Sequence, residues 1–83
     1  MKLLYFSWVR ERVGTNFEEL HPPAHIDNVE KLIKWLCEQG EQYEAAFADM
    51  SSVRIAINQE HTKLDAAVKS EDEIAFFPPV TGG

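Results

Sequence analysis

The 83 residues include a single cysteine, Cys37. A lone cysteine cannot close a disulfide within the chain, which excludes the stapled secreted scaffolds common among small domains. No apolar run approaches the roughly 20 residues needed to span a bilayer. Leu3 to Val9 resembles a short signal core, but Ser7 interrupts it, Arg10-Glu11-Arg12 follows, and no small-x-small cleavage site appears. Positive charge is also scarce, with 8 Lys and Arg against 14 Asp and Glu for a formal charge of -6. Affinity for phosphate backbones comes mainly from Lys and Arg, so the balance argues against nucleic acid as a partner. There is no P-loop and no G-x-G-x-x-G, hence no evident nucleotide pocket. His21, His25 and His61 lack H-x-x-x-H or Cys/His spacing, so no metal site is expected. These absences describe a cytoplasmic protein with no membrane contact. The acidity suits basic protein partners through encounter rate, although solubility alone explains it as well.

What is present suffices for one folded domain. Hydrophobic residues make up 45% of the chain, an ordinary globular share, and a linker would leave neither half with a core. Lys2 to Val9 reads as a strand buried on both faces, and Trp8 to Val13 can continue into a helical turn ended by Gly14. Asn16 to Leu20 can pair back antiparallel, stopped by His21-Pro22-Pro23. Val29, Leu32, Ile33, Leu36 and Cys37 mark one face of a helix from about Asn28 to Gln39. Asp27 or Asn28 caps its start, Gly40 ends it, Glu30 faces Lys34 at i+4, and Trp35 borders the apolar stripe. Tyr43, Ala46 and Phe47 fit a short second helix. Val53 to Ile57 is a strand, Asn58 to His61 a turn, and Thr62 to Val68 includes a short edge strand. Ser70-Glu71-Asp72 forms another turn, and Glu73 to Phe77 is the last strand, closed by Pro78-Pro79. Two hairpin-like ends around a crossover helix predict an α+β chain with a mixed sheet. Its first and last strands are central and parallel, the ubiquitin-like β-grasp arrangement. The domain spans residues 1–77 and an extended tail spans 78–83.

Conventional active-site chemistry finds little support. Cys37 lies on the apolar face of its helix, where a free cysteine behaves as a small hydrophobe. Glu71-Asp72-Glu73 offers paired carboxylates, but a turn before a strand is equally well served by side chains left in water. The tail Phe76-Phe77-Pro78-Pro79-Val80-Thr81-Gly82-Gly83 is more telling. The double proline prevents the last strand from running on, and Val80 to Gly83 can extend roughly 13 Å at about 3.3 Å per residue. Gly82 and Gly83 lack a Cβ, so the end can thread a narrow channel. The Gly83 carboxylate is unhindered and ionised at neutral pH. It becomes an acyl donor only after activation, for instance by adenylation on a separate ATP-using enzyme.

Leu3-Leu4-Tyr5-Phe6, Val9-Arg10-Glu11-Arg12-Val13-Gly14, Ala56-Ile57-Asn58-Gln59 and the block from Glu71 to Gly83 together resemble the small subunits of molybdopterin synthase. These are β-grasp sulfur carriers related to ubiquitin. The resemblance implies that Gly83 is adenylated by an E1-like enzyme and converted to a thiocarboxylate. It then donates sulfur to cyclic pyranopterin monophosphate in the large synthase subunit, within a heterotetramer built on a large-subunit dimer. The chain itself would be a cosubstrate rather than the catalyst and would bind no cofactor, because ATP belongs to the activating enzyme. Phe76, Phe77, Pro78, Pro79, Val80, Thr81 and Gly82 would contact the partner, with Arg10 a further candidate. The family commonly has Gly between the acidic residues of the last turn, where this chain has Ser70-Glu71-Asp72, which bears on turn geometry alone. Related carriers for thiamine, cysteine or tRNA thiolation, a protein modifier, and a plain binding module with a docking tail are the alternatives. Thiamine carriers are typically shorter and lack Phe-Phe-Pro-Pro.

Overall fold

The computed structural model describes residues 1–79. Five strands form one mixed sheet: β1 (Lys2–Tyr5), β2 (Phe17–Glu19), β3 (Arg54–Ile57), β4 (Glu60–Thr62) and β5 (Glu73–Phe77). Their order is β2-β1-β5-β3-β4. β1 and β5 pair in parallel at the centre, with Leu3 beside Ile74 and Tyr5 beside Phe76. β2 flanks β1 and β3 flanks β5, both antiparallel. Three helices connect the strands: α1 (Ser7–Val13), α2 (Val29–Gln39) and α3 (Glu41–Ala46). This is the α+β, ubiquitin-like β-grasp architecture, with α2 as the main crossover.

Period-two alternation decides which side of the sheet is dry. Leu3 and Tyr5 of β1, Ile74 and Phe76 of β5 and Ile55 of β3 share one core with Val9 of α1 and Val29, Leu32 and Leu36 of α2. Phe76 is stacked with Tyr5 at a ring separation of 5.8 Å and meets Phe47 edge-on at 4.9 Å. Asn28 caps α2, its Oδ1 accepting from the Lys31 backbone N–H at 2.8 Å. The i,i+4 ion pair is Asp27–Lys31 at 2.9 Å rather than the expected Glu30–Lys34. Trp35 and Cys37 pack at the border of the core.

Two boundaries differ from the sequence reading. β1 stops at Tyr5, not Val9, because Ser7 takes a φ of 55° and the chain turns directly into α1. Gly14 ends that helix as expected, with a φ of 95° and its N–H donating to the Arg10 carbonyl. β4 begins at Glu60, two residues earlier than expected, because the turn before it is only Asn58-Gln59. Both turn residues have positive φ, 51° and 71°, the geometry of a tight I′ hairpin. The stretch after β4 serves α2 instead. The Leu64 and Ala66 carbonyls accept from the Glu30 and Val29 backbone N–H groups, donors that the first turn of a helix leaves unpaired.

β2 is fastened to α3 through a buried-side carboxylate. Glu18 accepts from the Tyr5 hydroxyl at 2.9 Å and from the Tyr43 hydroxyl at 2.7 Å. Burial, followed by the bond to Glu18, pushes the pKa of both tyrosines up.

Candidate functional site

The alternation that buries Leu3, Tyr5, Ile74 and Phe76 turns the residues between them onto the opposite face, which no helix among the described residues covers. Strand register arranges that face in rows. Phe17 lies opposite Leu4, Leu4 beside Ala75, Ala75 opposite Ala56, and Ala56 opposite His61. An apolar row therefore crosses β2, β1, β5 and β3, with Leu4 and Ala75 half-buried and Ala56 buried, and ends at His61 on β4. On one side of it runs a charged row, with Lys2 paired in register to both Glu19 and Glu73. On the other side lies the root of the tail, where Phe77 sits opposite Arg54.

Phe77 is half-buried on this face, and the imidazole of His61 packs against its ring at 5.3 Å. Phe6 follows β1 at the same end of the sheet, its N–H donating to the Phe76 carbonyl at 3.1 Å. Its side chain is 47% exposed. Arg10 is exposed one helical turn later on α1, its N–H directed at the Phe6 carbonyl. The tail root thus brings together Phe77, Phe6, His61 and Arg54, with Arg10 on the adjoining helix.

The structure separates the two tail phenylalanines. Phe76 has 0% exposure and lies in the core, whereas Phe77 is on the open face. Pro78 and Pro79 are half-buried where β5 ends. The candidate contacts Val80, Thr81 and Gly82 and the candidate donor Gly83 lie outside the described residues. Sequence reasoning passed over Phe6, Phe17 and His61. For Phe6 and Phe17 the signal lay in the alternation, which places them on the face opposite Tyr5 and Glu18. His61 was hidden by the assignment of Asn58 to His61 as a turn.

The remaining chemical candidates have structural tasks. Cys37 donates its Sγ–H to the Tyr43 carbonyl at 3.8 Å, and burial pushes its thiol pKa up, away from the reactive thiolate. Asp72 accepts from the Asn58 side chain at 3.0 Å and from the Lys69 N–H at 2.8 Å, locking the β3–β4 turn to the start of β5. The turn closes with the Asp72 N–H donating to the Lys69 carbonyl, and no residue in it has positive φ. Ser70-Glu71 therefore fits this turn without a glycine. Among the described residues, no three His, Cys, Asp or Glu side chains converge as metal ligands, and no helix is long and apolar enough to cross a membrane.

Comparison with known proteins agrees with this architecture. The pattern of the ThiS family matches residues 3–83. The molybdopterin synthase sulfur carrier subunit of Escherichia coli (strain K12) is 39% identical over 83 residues, covering 100% of this chain and 99% of that protein. The crystal structure of SAMP1 from Haloferax volcanii superposes with a TM-score of 0.77 at 24% identity, covering 100% of this chain and 98% of that one. A chain of the protein–protein complex of subunits 1 and 2 of the molybdopterin-converting factor from Helicobacter pylori 26695 matches at a TM-score of 0.59 and 21% identity. That match covers 99% of this chain and 96% of the matched chain. With the family pattern spanning nearly all its length and a full-length relative well above 30% identity, the chain belongs to the ThiS family.

Proposed function

We propose that this chain is the sulfur carrier subunit of a molybdopterin synthase. The observation that carries the reading is the position of the last strand. β5 is hydrogen-bonded on both sides, to β1 and to β3, so the residues after Phe77 leave from the firmest part of the sheet, beside an uncovered apolar face. A carrier needs this arrangement: a body that a partner can grip, and an end that reaches into that partner. The full-length relative named as a molybdopterin synthase sulfur carrier subunit supports it.

The chemistry is that of an activated carboxylate. An oxygen of the Gly83 carboxylate attacks the α-phosphorus of ATP on an E1-like enzyme, and pyrophosphate leaves. A sulfur nucleophile then displaces AMP from the mixed anhydride, leaving a thiocarboxylate. In the large subunit the sulfur passes to cyclic pyranopterin monophosphate, and the carboxylate is regenerated with an oxygen from water. Two deliveries complete the dithiolene. The chain contributes no acid, base or bound cofactor; its part is to present the tail. Phe77, Pro78, Pro79 and Arg10 lie where a partner grips the body, and Val80 to Gly82 carry the sulfur inward. No charged side chain occurs from Ile74 to Gly83, which suits entry into a closed pocket, where an unpaired charge is costly.

Intact mass spectrometry after incubation with the activating enzyme, ATP and a sulfur source tests the reading. The expected result is a mass gain equal to one oxygen replaced by one sulfur, lost again on addition of the large subunit and the pterin precursor. An unchanged mass in the presence of an active enzyme rejects the reading.

A further inference from the structure

Phe17 is 46% exposed on an edge strand of three residues, an unfavourable place for a large aromatic. Exposed apolar edge strands invite self-association and are normally blunted with charge. The neighbouring glutamates do not shield Phe17. Glu18 points inward to Tyr5 and Tyr43, and Glu19 lies in the charged row beside Lys2. Phe17 instead stands at the end of the apolar row that begins with Leu4 and continues to His61.

We propose that Phe17 is a second anchor for the large synthase subunit, which covers the open face from the tail root across to β2. The inference rests on the carrier reading above. Continuity argues for this occupant. Phe17 lies two strands from β5, about 10 Å at the usual strand spacing, so a partner that takes the tail and lies against the sheet reaches it without a second interface. The surroundings have the anatomy of a docking site, an apolar centre bordered by the Glu19–Lys2–Glu73 row, whose charges lie in register with one another. The bonds to Glu18 tie β2 to β1 through Tyr5 and to α3 through Tyr43, so the ring is presented on a fixed strand and little ordering is left to the moment of binding. Leu64 is the internal comparison. It is 37% exposed, but it lines a groove of about 520 Å³ with Met50, Val53, Arg54 and Thr62 and has no place in the open-face row.

Calorimetric titration of the full chain with its cognate large subunit tests the proposal, using Phe17→Thr, Phe77→Ala and Leu64→Thr with melting curves for each. Phe17→Thr is expected to raise Kd about tenfold or more, and Leu64→Thr to change it by less than about twofold. An effect of less than about twofold for Phe17→Thr, alongside a clear loss for Phe77→Ala, overturns the inference and leaves the carrier reading standing. Failure of the unaltered chain to bind the large subunit overturns both. If Phe17→Thr does not fold, amide NMR of the unaltered chain decides. Shifts at Phe17 to Glu19 on adding the large subunit support the anchor, and shifts confined to the tail root reject it.

Discussion

The imidazole of His61 stands edge-on to the ring of Phe77, with centroids 5.3 Å apart and planes at 71°. A residue from the edge strand β4 thus reaches over β3 to steady an aromatic at the end of the central strand. Aromatic pairs in such edge-to-face contact gain about 0.5–1.5 kcal/mol beyond burial. The contact fixes Phe77 on the open face while its neighbour Phe76 lies in the core.

The two phenylalanines should therefore fail differently. Phe76→Ala empties a site between Tyr5 and Phe47 and is expected to cost about 3–5 kcal/mol in urea unfolding. Phe77→Ala should cost less than half of that, yet raise the Kd for the large subunit several-fold. Equal stability losses for the two variants would contradict the division of labour.

Deleting Gly83 should separate grip from delivery. The shortened chain is expected to bind the large subunit within a few-fold of the full chain, because the open face and the tail root are untouched. It should form no thiocarboxylate and should support no dithiolene synthesis in a coupled assay.

Alkaline pH should weaken the fold through the Glu18 cluster. Tyr5 and Tyr43 have their pKa values raised, by burial first and by the bond to Glu18 second. In the unfolded chain tyrosine titrates near 10. Above that pH the unfolded state releases protons that the folded state retains, so proton release favours unfolding. The stabilisation is fully present below about pH 10 and declines as pH rises from there toward the folded-state values. Urea midpoints measured between about pH 9 and 11 should fall, and the fall should shrink in a Tyr5→Phe, Tyr43→Phe double variant.

Gln59 offers a gain in stability. It is the second residue of the β3–β4 turn and holds a φ of 71° without being glycine. Asn-Gly is the favoured pair for this turn, and the left-handed region costs a residue with a Cβ roughly 1–2 kcal/mol. Gln59→Gly is expected to raise the unfolding free energy by up to about 1 kcal/mol, read from thermal melts.

Much of the fold was legible because local signals agreed with one another. Val29, Leu32, Ile33 and Leu36 mark a helix face, Asn28 caps it, and Glu73 to Phe77 alternates cleanly. The misread boundaries have long-range or backbone causes. Leu4-Tyr5-Phe6-Ser7-Trp8-Val9 is strand-like throughout, and only a positive φ at Ser7 breaks it. The residues after Thr62 look like a continuing edge strand, but the Leu64 and Ala66 carbonyls are used by the first turn of α2, more than 30 residues earlier in the chain. The candidate site was half visible. Its tail could be read directly, whereas the open face exists only once register aligns Phe17, Leu4, Ala75, Ala56 and His61.

The two-sided pairing of β5 has a mechanical consequence. A tail drawn from a tight channel transmits its tension straight into the strand it extends. That tension acts along β5, so it shears the ladders to β1 and β3 together rather than peeling one bond at a time. For a carrier of the kind proposed, a pull on the tail would therefore load two ladders at once, like a tool whose handle runs through the middle of its grip.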